Sequence, residues 1–418
     1  MQLEVYGGNH LNGEITVSGA KNAALKMIAA AVLSENNIEL RSVPEILDVQ
    51  SMMSIFEHLG GKVEKIKKGH YKLCGKNIKN GDLRLDLVSK LRGSLVFLGP
   101  LLARFKKVYL PFPGGCFIGA RSIDTHLKLF RDLGADIKEK DNCFEISLAK
   151  IKNKRIILDE LSVTATENAI LFASFFKEQL EFRIMAIEPE IIDLIKTLES
   201  MGVKFEGVGT PFLKINREID DFKEVKHTVL PDRIEAGTWA ILAAISKGTI
   251  KIKNVRTQDL DMFFNKMRQV GIKIEKLDGS IRVSSAGSFK PVNIDTRPYP
   301  GFPTDLQAPF SVLLTQAKGA SRIFETLFED RLQYLRELKK MGAQTKILDA
   351  HTATIYGPTV LQGKEIYSLD LRAGITLIMA ALIAKGKSII NDIEIVDRGY
   401  EDWEEKLLSL GAKIKRKN

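Results

Sequence analysis

Cys116 is the first residue of this chain that could do chemistry. It sits in Pro113–Gly114–Gly115–Cys116–Phe117–Ile118–Gly119–Ala120–Arg121, where glycines on both sides let the backbone move or approach a ligand closely. Arg121 would lower the thiol pKa and raise its reactivity. The competing reading is a small buried hydrophobe, which is the reading adopted for Cys74 and Cys143. A second set is cationic. Lys21, Arg92, Arg121, Arg331, Arg372 and Arg398 all fall where a strand pattern gives way to a helix pattern. Acids at such places cap the helix, whereas cations oppose its dipole and need another reason to be there. Taken singly, each is a solvated charge or an ion-pair partner. Six at equivalent places point to small anions, because helix N-termini bind phosphate and carboxylate and Arg grips both in bidentate fashion. Asp305 follows Phe302–Pro303–Thr304 and is either an N-cap or a general base beside a bound hydroxyl. Glu188 and Glu190 read as capping carboxylates, and His126 as either structural or ligand-contacting.

The elements that must position these residues form a repeat. An apolar residue, Gly and a small or apolar residue, followed by a strand pattern, recur as LGGKV, LGADI, MGVKF, VGIKI, MGAQT and LGAKI. Their glycines, Gly60, Gly134, Gly202, Gly271, Gly342 and Gly411, are 74, 68, 69, 71 and 69 residues apart, so the repeat fills the chain. Each follows apolar residues at helical spacing, such as Ile192, Ile195, Leu198 and Met201 before Gly202. Gly just past a helix takes the left-handed conformation that closes the last turn. Adding the segments between gives βαβαββ, with crossover helices that imply parallel strand pairs. The sixth copy stops after LGAKI, and the N-terminal strands LEVY and EITV are expected to complete it in space. One ring of six or two lobes of three both satisfy the repeat. Two lobes fit domain size better, and counting three repeats from Ala20 predicts one lobe over 21–229 and another over 1–20 plus 230–418. Two chain crossings between lobes favour a hinged cleft.

Composition bounds the function. The 418 residues carry 62 Lys+Arg against 52 Asp+Glu, a net +10, with 44% hydrophobic and 7% aromatic residues. That apolar content excludes disorder as the dominant state. The basic residues are spread along the chain, without the interleaved aromatics that stack nucleic-acid bases, so no nucleic acid is expected as a partner. The charge-free apolar stretch Ala373–Ala384 is 12 residues, against roughly 20 needed to span a bilayer. With no signal-peptide pattern at MQLEVYGGNH and only three cysteines, a reducing, cytoplasmic setting and no membrane insertion are expected. No metal-ligand spacing, dinucleotide fingerprint or phosphate loop ending in Gly-Lys-Ser/Thr is present, so neither metal nor cofactor is implied.

Six βαβαββ units in two lobes resemble the enolpyruvyl transferases. The Cys116 loop resembles that of the branch acting on UDP-N-acetylglucosamine, as do Ser18–Gly19–Ala20–Lys21–Asn22–Ala23, Leu230–Pro231–Asp232–Arg233–Ile234–Glu235, Phe302–Pro303–Thr304–Asp305 and Asp397–Arg398–Gly399–Tyr400–Glu401. The shikimate-pathway branch shares the architecture but not the Cys loop. The resemblance implies an α/β fold, a two-lobed inside-out barrel of six repeats with three per lobe. It also implies transfer of the enolpyruvyl group of phosphoenolpyruvate to the 3-hydroxyl of UDP-N-acetylglucosamine, with phosphate released, as the first committed step of peptidoglycan synthesis. By the same resemblance Lys21, Arg121 and Arg398 face the phosphate, and Arg331, Arg372 and Arg398 surround the carboxyl group. Asn22 and Asp305 address the sugar, with Asp305 as base, and Cys116 acts as general acid or in product release. Arg92, Arg121, Ser122, Asp124, Ser162, Val163 and Thr164 line the nucleotide, and Leu327 and Asp370 join the substrate contacts. Ser122 and Thr164 stand where Pro and Gly are familiar in relatives, at places that make mainly backbone contacts. The epoxide fosfomycin is expected to alkylate Cys116.

Overall fold

Among the described residues, alternating burial of the strands and the apolar helices between them build six sheets, five of which share one four-stranded plan. The computed structural model describes residues 1–79, 83, 91–112, 123–140, 142–284 and 287–417. Cys116, Arg121 and Ser122 lie outside the described residues. The chain divides into two compact units, one made of Met1–Ser18 and the chain from Pro231 onward, the other of the described residues between Gly19 and Leu230.

In the second unit, Arg155–Ile157 runs parallel to Leu180–Arg183, which pairs antiparallel with Phe212–Arg217, and that strand with Val203–Glu206. The same order, a parallel pair followed by an antiparallel hairpin, recurs in the first unit for Ile294–Asp295, Gly319–Phe324, Thr352–Gly357 and Gln344–Ile347. Lys107–Pro111, Cys143–Ser147 and Asp136–Lys140 form a sheet that has three strands among the described residues.

The N-terminal strands part company. Gln2–Tyr6 does join the sixth sheet, between Lys387–Asn391 and Lys413–Lys417. Gly13–Thr16 does not, contrary to expectation: it lies parallel to Thr249–Lys253. Its counterpart Val225–Thr228 lies parallel to Asn37–Arg41. Each of these strands precedes a point where the chain passes to the other unit, so each fills the leading-strand position in the sheet it leaves rather than in the one its helix enters.

All six repeat glycines are left-handed, with φ between 94° and 109°. Each closes the helix before it as the pattern requires. After Leu47–His58, for example, Gly60 N–H donates to Glu57 O and Gly61 N–H to Phe56 O. Helices at this position bury one face, as in Asp124–Leu133, where His126, Leu127, Leu129, Phe130 and Leu133 are buried. The Ala-rich helices are different. Arg233–Ile245 is buried from Ile234 to its end and Leu371–Ile383 from Arg372 to Leu382, and both pack on Thr304–Leu314 as the core of the first unit. Among the described residues no helix is long and apolar enough to cross a membrane, and no group of His, Cys, Asp and Glu is arranged to hold a metal ion.

Candidate active site

The predicted residues fall into two groups, one on each unit. In the first unit Asp305 occupies the first turn of Thr304–Leu314. It makes no cap; its two carboxylate oxygens are taken by two guanidiniums. Arg331 Nη2 donates to Oδ1 at 2.5 Å and Arg372 Nη2 to Oδ2 at 2.8 Å. Both cations are almost fully enclosed, with 4% and 7% of their side-chain surfaces exposed. Arg331 also donates to Thr304 Oγ1 at 2.8 Å, and Thr304 donates to the buried Glu325 at 2.7 Å. Glu325 further accepts from Thr296 Oγ1, Gln307 Nε2 and the Leu327 N–H, so it fixes the loop bearing the exposed Leu327. Arg372 donates to Tyr400 Oη at 3.0 Å, and Tyr400 pairs with Thr238. Burial opposes the charge on Arg372, yet Asp305, Tyr400 and Asp232 hold its pKa above the ordinary guanidinium value. Two cations converging on one carboxylate in a low-dielectric place make a built carboxylate site.

Asp370 caps the helix Leu371–Ile383 through the N–H groups of Arg372 and Ala373, and Asp232 caps Arg233–Ile245 through Ile234 and Glu235. Arg331 and Arg398 are not on helix starts as expected. Arg331 is in a turn before Tyr334–Lys340, whose first buried residues are Tyr334 and Leu335. Arg398 ends the 3₁₀ turn Ile393–Arg398, and the next helix begins at Trp403. Asp397, beside it, accepts from Trp403 Nε1 at 2.9 Å and from Arg416 at 2.5 Å.

In the second unit Lys21 opens the helix Lys21–Ala30, and its ammonium lies 3.1 Å from Asp48. Asn22, next to it, is exposed. Arg92 opens a 3₁₀ segment, Arg92–Phe97, and Asp124 opens its helix and is exposed. Ser162 caps the helix Val163–Ala173 through the Ala165 N–H, leaving Val163 and Thr164 in its first turn. His126 is buried beneath them. One ring nitrogen meets Thr164 Oγ1 at 3.0 Å and the other meets Asn168 Nδ2 at 3.1 Å. Burial, then the charge of Arg92, pushes the imidazole down to about 4, so the ring is neutral and orients Thr164. Glu188 and Glu190 are buried, and Glu188 makes no side-chain cap to Pro189–Ser200. Instead, both carboxylates act with burial to raise Glu167, whose pKa rises to about 7 despite its ion pair with Lys26 Nζ at 2.9 Å. Cys74 and Cys143 are partly exposed at strand ends rather than buried.

Sequence reasoning missed Lys26, Asp48, Glu325 and Tyr400 as supports of the site. Asp48 had a signal, an acid in the first turn of Leu47–His58. Lys26 had none, sitting inside an Ala-rich helix.

The arrangement can be placed among known proteins. The family described as EPSP synthase (3-phosphoshikimate 1-carboxyvinyltransferase) matches residues 5–407. A UDP-N-acetylglucosamine 1-carboxyvinyltransferase of Halothermothrix orenii is 43% identical over 412 residues, covering 99% of this chain and 98% of the relative. The protein of the same name from Helicobacter acinonychis is 41% identical over 416 residues, with 99% and 98% covered. The chain belongs to the UDP-N-acetylglucosamine 1-carboxyvinyltransferases, within the EPSP synthase family. Among solved structures, the enolpyruvyl transferase NikO from Streptomyces tendae superposes with a TM-score of 0.90 at 22% identity, over 99% of this chain and 98% of that one. An EPSP synthase from Acinetobacter baumannii gives 0.72 at 18% identity over 99% of both. At those identities the two structures speak for the α/β fold of the family.

Proposed function

We infer that this chain transfers the enolpyruvyl group of phosphoenolpyruvate to the 3-hydroxyl of UDP-N-acetylglucosamine and releases phosphate, the first committed step of peptidoglycan synthesis. The observation that carries the reading is the pair of enclosed guanidiniums, Arg331 and Arg372, meeting at one carboxylate. Phosphoenolpyruvate brings a carboxylate of the same kind. Its binding draws Arg331 and Arg372 onto itself and leaves Asp305 as a basic carboxylate beside the acceptor hydroxyl. The reaction is addition then elimination. The methylene carbon takes a proton, the hydroxyl oxygen attacks the adjacent carbon as its proton passes to Asp305, and a tetrahedral phospholactoyl adduct forms. Return of a proton from the new methyl group with departure of phosphate restores the double bond.

Lys21 and Arg398 face the phosphate, with Arg121, and Asn22 addresses the sugar. Cys116 serves as general acid or in product release. Arg92, Ser122, Asp124, Ser162, Val163 and Thr164 take the nucleotide, the last held by neutral His126. Fixed cations replace water around the developing charge, which is where most of the rate gain arises. The fold reading that goes with it is an inside-out barrel of six repeats, three per lobe, which the shared strand order of the sheets and the six left-handed glycines support. A phosphate-release assay with phosphoenolpyruvate, run with and without UDP-N-acetylglucosamine on wild type and Lys21→Ala, tests the reaction. Release that depends on the sugar nucleotide and falls by about 10²-fold or more in the variant is expected. Release triggered instead by shikimate 3-phosphate, or none with either acceptor, overturns it.

A further inference from the structure

The chain passes between the two units twice, at Ser18/Gly19 and at Leu230/Pro231. On each side a buried carboxylate takes the backbone N–H of the last residue before the crossing. Glu235 Oε2 accepts from Ser18 N–H at 2.9 Å in the first unit, and Asp193 Oδ2 accepts from Leu230 N–H at 3.2 Å in the second. Glu235 is 3% exposed and Asp193 7%. Each carboxylate is itself held. Glu235 Oε1 accepts from Trp239 Nε1 at 2.8 Å and Lys406 Nζ at 2.6 Å, and Lys406 reaches on to Ser18 Oγ at 2.8 Å. Asp193 Oδ1 lies 3.1 Å from His227 Nε2. Backbone bonds complete the pattern within each unit: Asp232 N–H to Ser18 O at 2.9 Å, and Ala20 N–H to Leu230 O at 2.7 Å.

The residues just beyond these anchors are Lys21 and Asn22 after one crossing, and Asp232 and Arg233 after the other. Gly19 leaves the first crossing no slack, since a Cβ built on it would lie 1.7 Å from Ser42 O. Lys406 extends the connection in the first unit to the helix Trp403–Ser409, which follows the Arg398 turn. A charge-assisted bond from an enclosed carboxylate to a backbone N–H is among the stronger ways to fix a chain segment. Neither carboxylate belongs to a helix cap, and neither is needed to neutralise a substrate-facing cation.

We propose that Glu235 and Asp193 are positioning residues for the transfer reaction, each anchoring one crossing of the chain so that Lys21 and Asn22 after one, and the helix start at Asp232 and Arg233 after the other, are presented at fixed places. The kinetic consequence rests on the enolpyruvyl-transfer reading; the anchoring itself does not.

The experiment pairs amide hydrogen exchange with steady-state kinetics on the full chain, for Asp193→Ala, Asp193→Asn and Glu235→Ala. Exchange at residues 17–20 and 228–232 is expected to quicken about tenfold or more in the Ala variants, with the helices 163–173 and 233–245 unchanged. Turnover falls about tenfold while KM for both substrates stays within about threefold, because the anchors set how the groups are presented in the transition state. Asp193→Asn keeps an acceptor for Leu230 and a donor toward His227, and stays within about threefold of wild type in both measurements. Unchanged exchange at the crossings overturns the anchoring. Faster exchange throughout a unit reduces the residues to general stability and overturns the proposal, and so does local loosening with unchanged turnover. A wild type that never turns over would sink the reaction reading and leave the exchange result standing on its own.

Discussion

Asp305→Asn separates what the carboxylate does for the fold from what it does for the reaction. It joins two cations with only 4% and 7% of their side-chain surfaces exposed. Asparagine keeps one acceptor oxygen and turns an NH₂ group toward the other guanidinium, so both cations lose the counter-charge they share and one of them faces a donor. Breaking a buried pair by removing one partner costs about 3–5 kcal/mol. The low end applies, because Arg331 keeps Thr304 and Arg372 keeps Tyr400. For a unit of roughly 200 residues, about 3 kcal/mol is a fall of about 6–12 °C in Tm. Scanning calorimetry should place that fall in the transition of the unit containing residues 231–417, and leave the other transition unmoved. Turnover should drop by about 10²–10⁴-fold for loss of a general base. The decisive arm is binding. If the substrate carboxylate must displace Asp305 from Arg331 and Arg372, weakening that internal competitor favours the ligand. Phosphoenolpyruvate, titrated calorimetrically in the presence of the sugar nucleotide, should then bind the inactive variant about tenfold more tightly than wild type, the equivalent of about 1.4 kcal/mol. Binding tenfold weaker than wild type would show that Asp305 holds the ligand rather than competing with it, and the displacement argument would fail.

Two further outcomes follow from the second unit. Glu167 has its pKa raised from 4.5 to about 7, chiefly by burial. Between those values the folded state keeps a proton that the unfolded chain has lost, so stability falls as pH rises from about 4.5 to about 7, by on the order of 2–3 kcal/mol. Urea midpoints at pH 5 and 7.5 measure this, and Glu167→Gln should abolish the difference; an unaltered pH slope in that variant would assign it elsewhere. Fosfomycin should leave one adduct, on the peptide carrying Cys116, formed faster when UDP-N-acetylglucosamine is present. Mass spectrometry that finds the label on Cys74 or Cys143, both partly exposed, would refute the reading of the glycine-rich loop.

The parts of this molecule that could be read from its residues are those set by short-range physics. A left-handed residue closing a helix must be cheap at positive φ, so the six glycines marked the helix ends, and the structure puts all six at φ near 100°. Ionic partnerships follow no such local rule. Asp305 meets Arg331 across 26 residues and Arg372 across 67, and no spacing rule in a single chain connects them. The cap reading of Asp305 was reasonable locally and lost to that pair. Lys26 was hidden because an Ala-rich helix gives no hint that one of its positions faces Glu167. Helix starts failed at Arg331 and Arg398 because a turn separates each from its helix: Arg331 lies in the turn before Tyr334–Lys340, and Arg398 ends the 3₁₀ turn Ile393–Arg398 before Trp403–Ser409.

The exchange of leading strands shows where local reading reaches its limit. GEIT and VKHT both alternate over four residues, and each would satisfy the edge of either sheet by its side chains alone. What distinguishes their destinations is the backbone that follows. Ser18 is tied to Glu235 and Asp232, and Leu230 to Asp193 and Ala20, so the residue before each crossing, two beyond the strand, is fixed in the unit that the strand joins. The carboxylates that hold these two residues are the same two proposed to anchor the crossings. Each strand pairing and the residues after each crossing, Lys21 on one side and Arg233 on the other, thus flank one fixed point, Ser18 held by Glu235 and Leu230 held by Asp193.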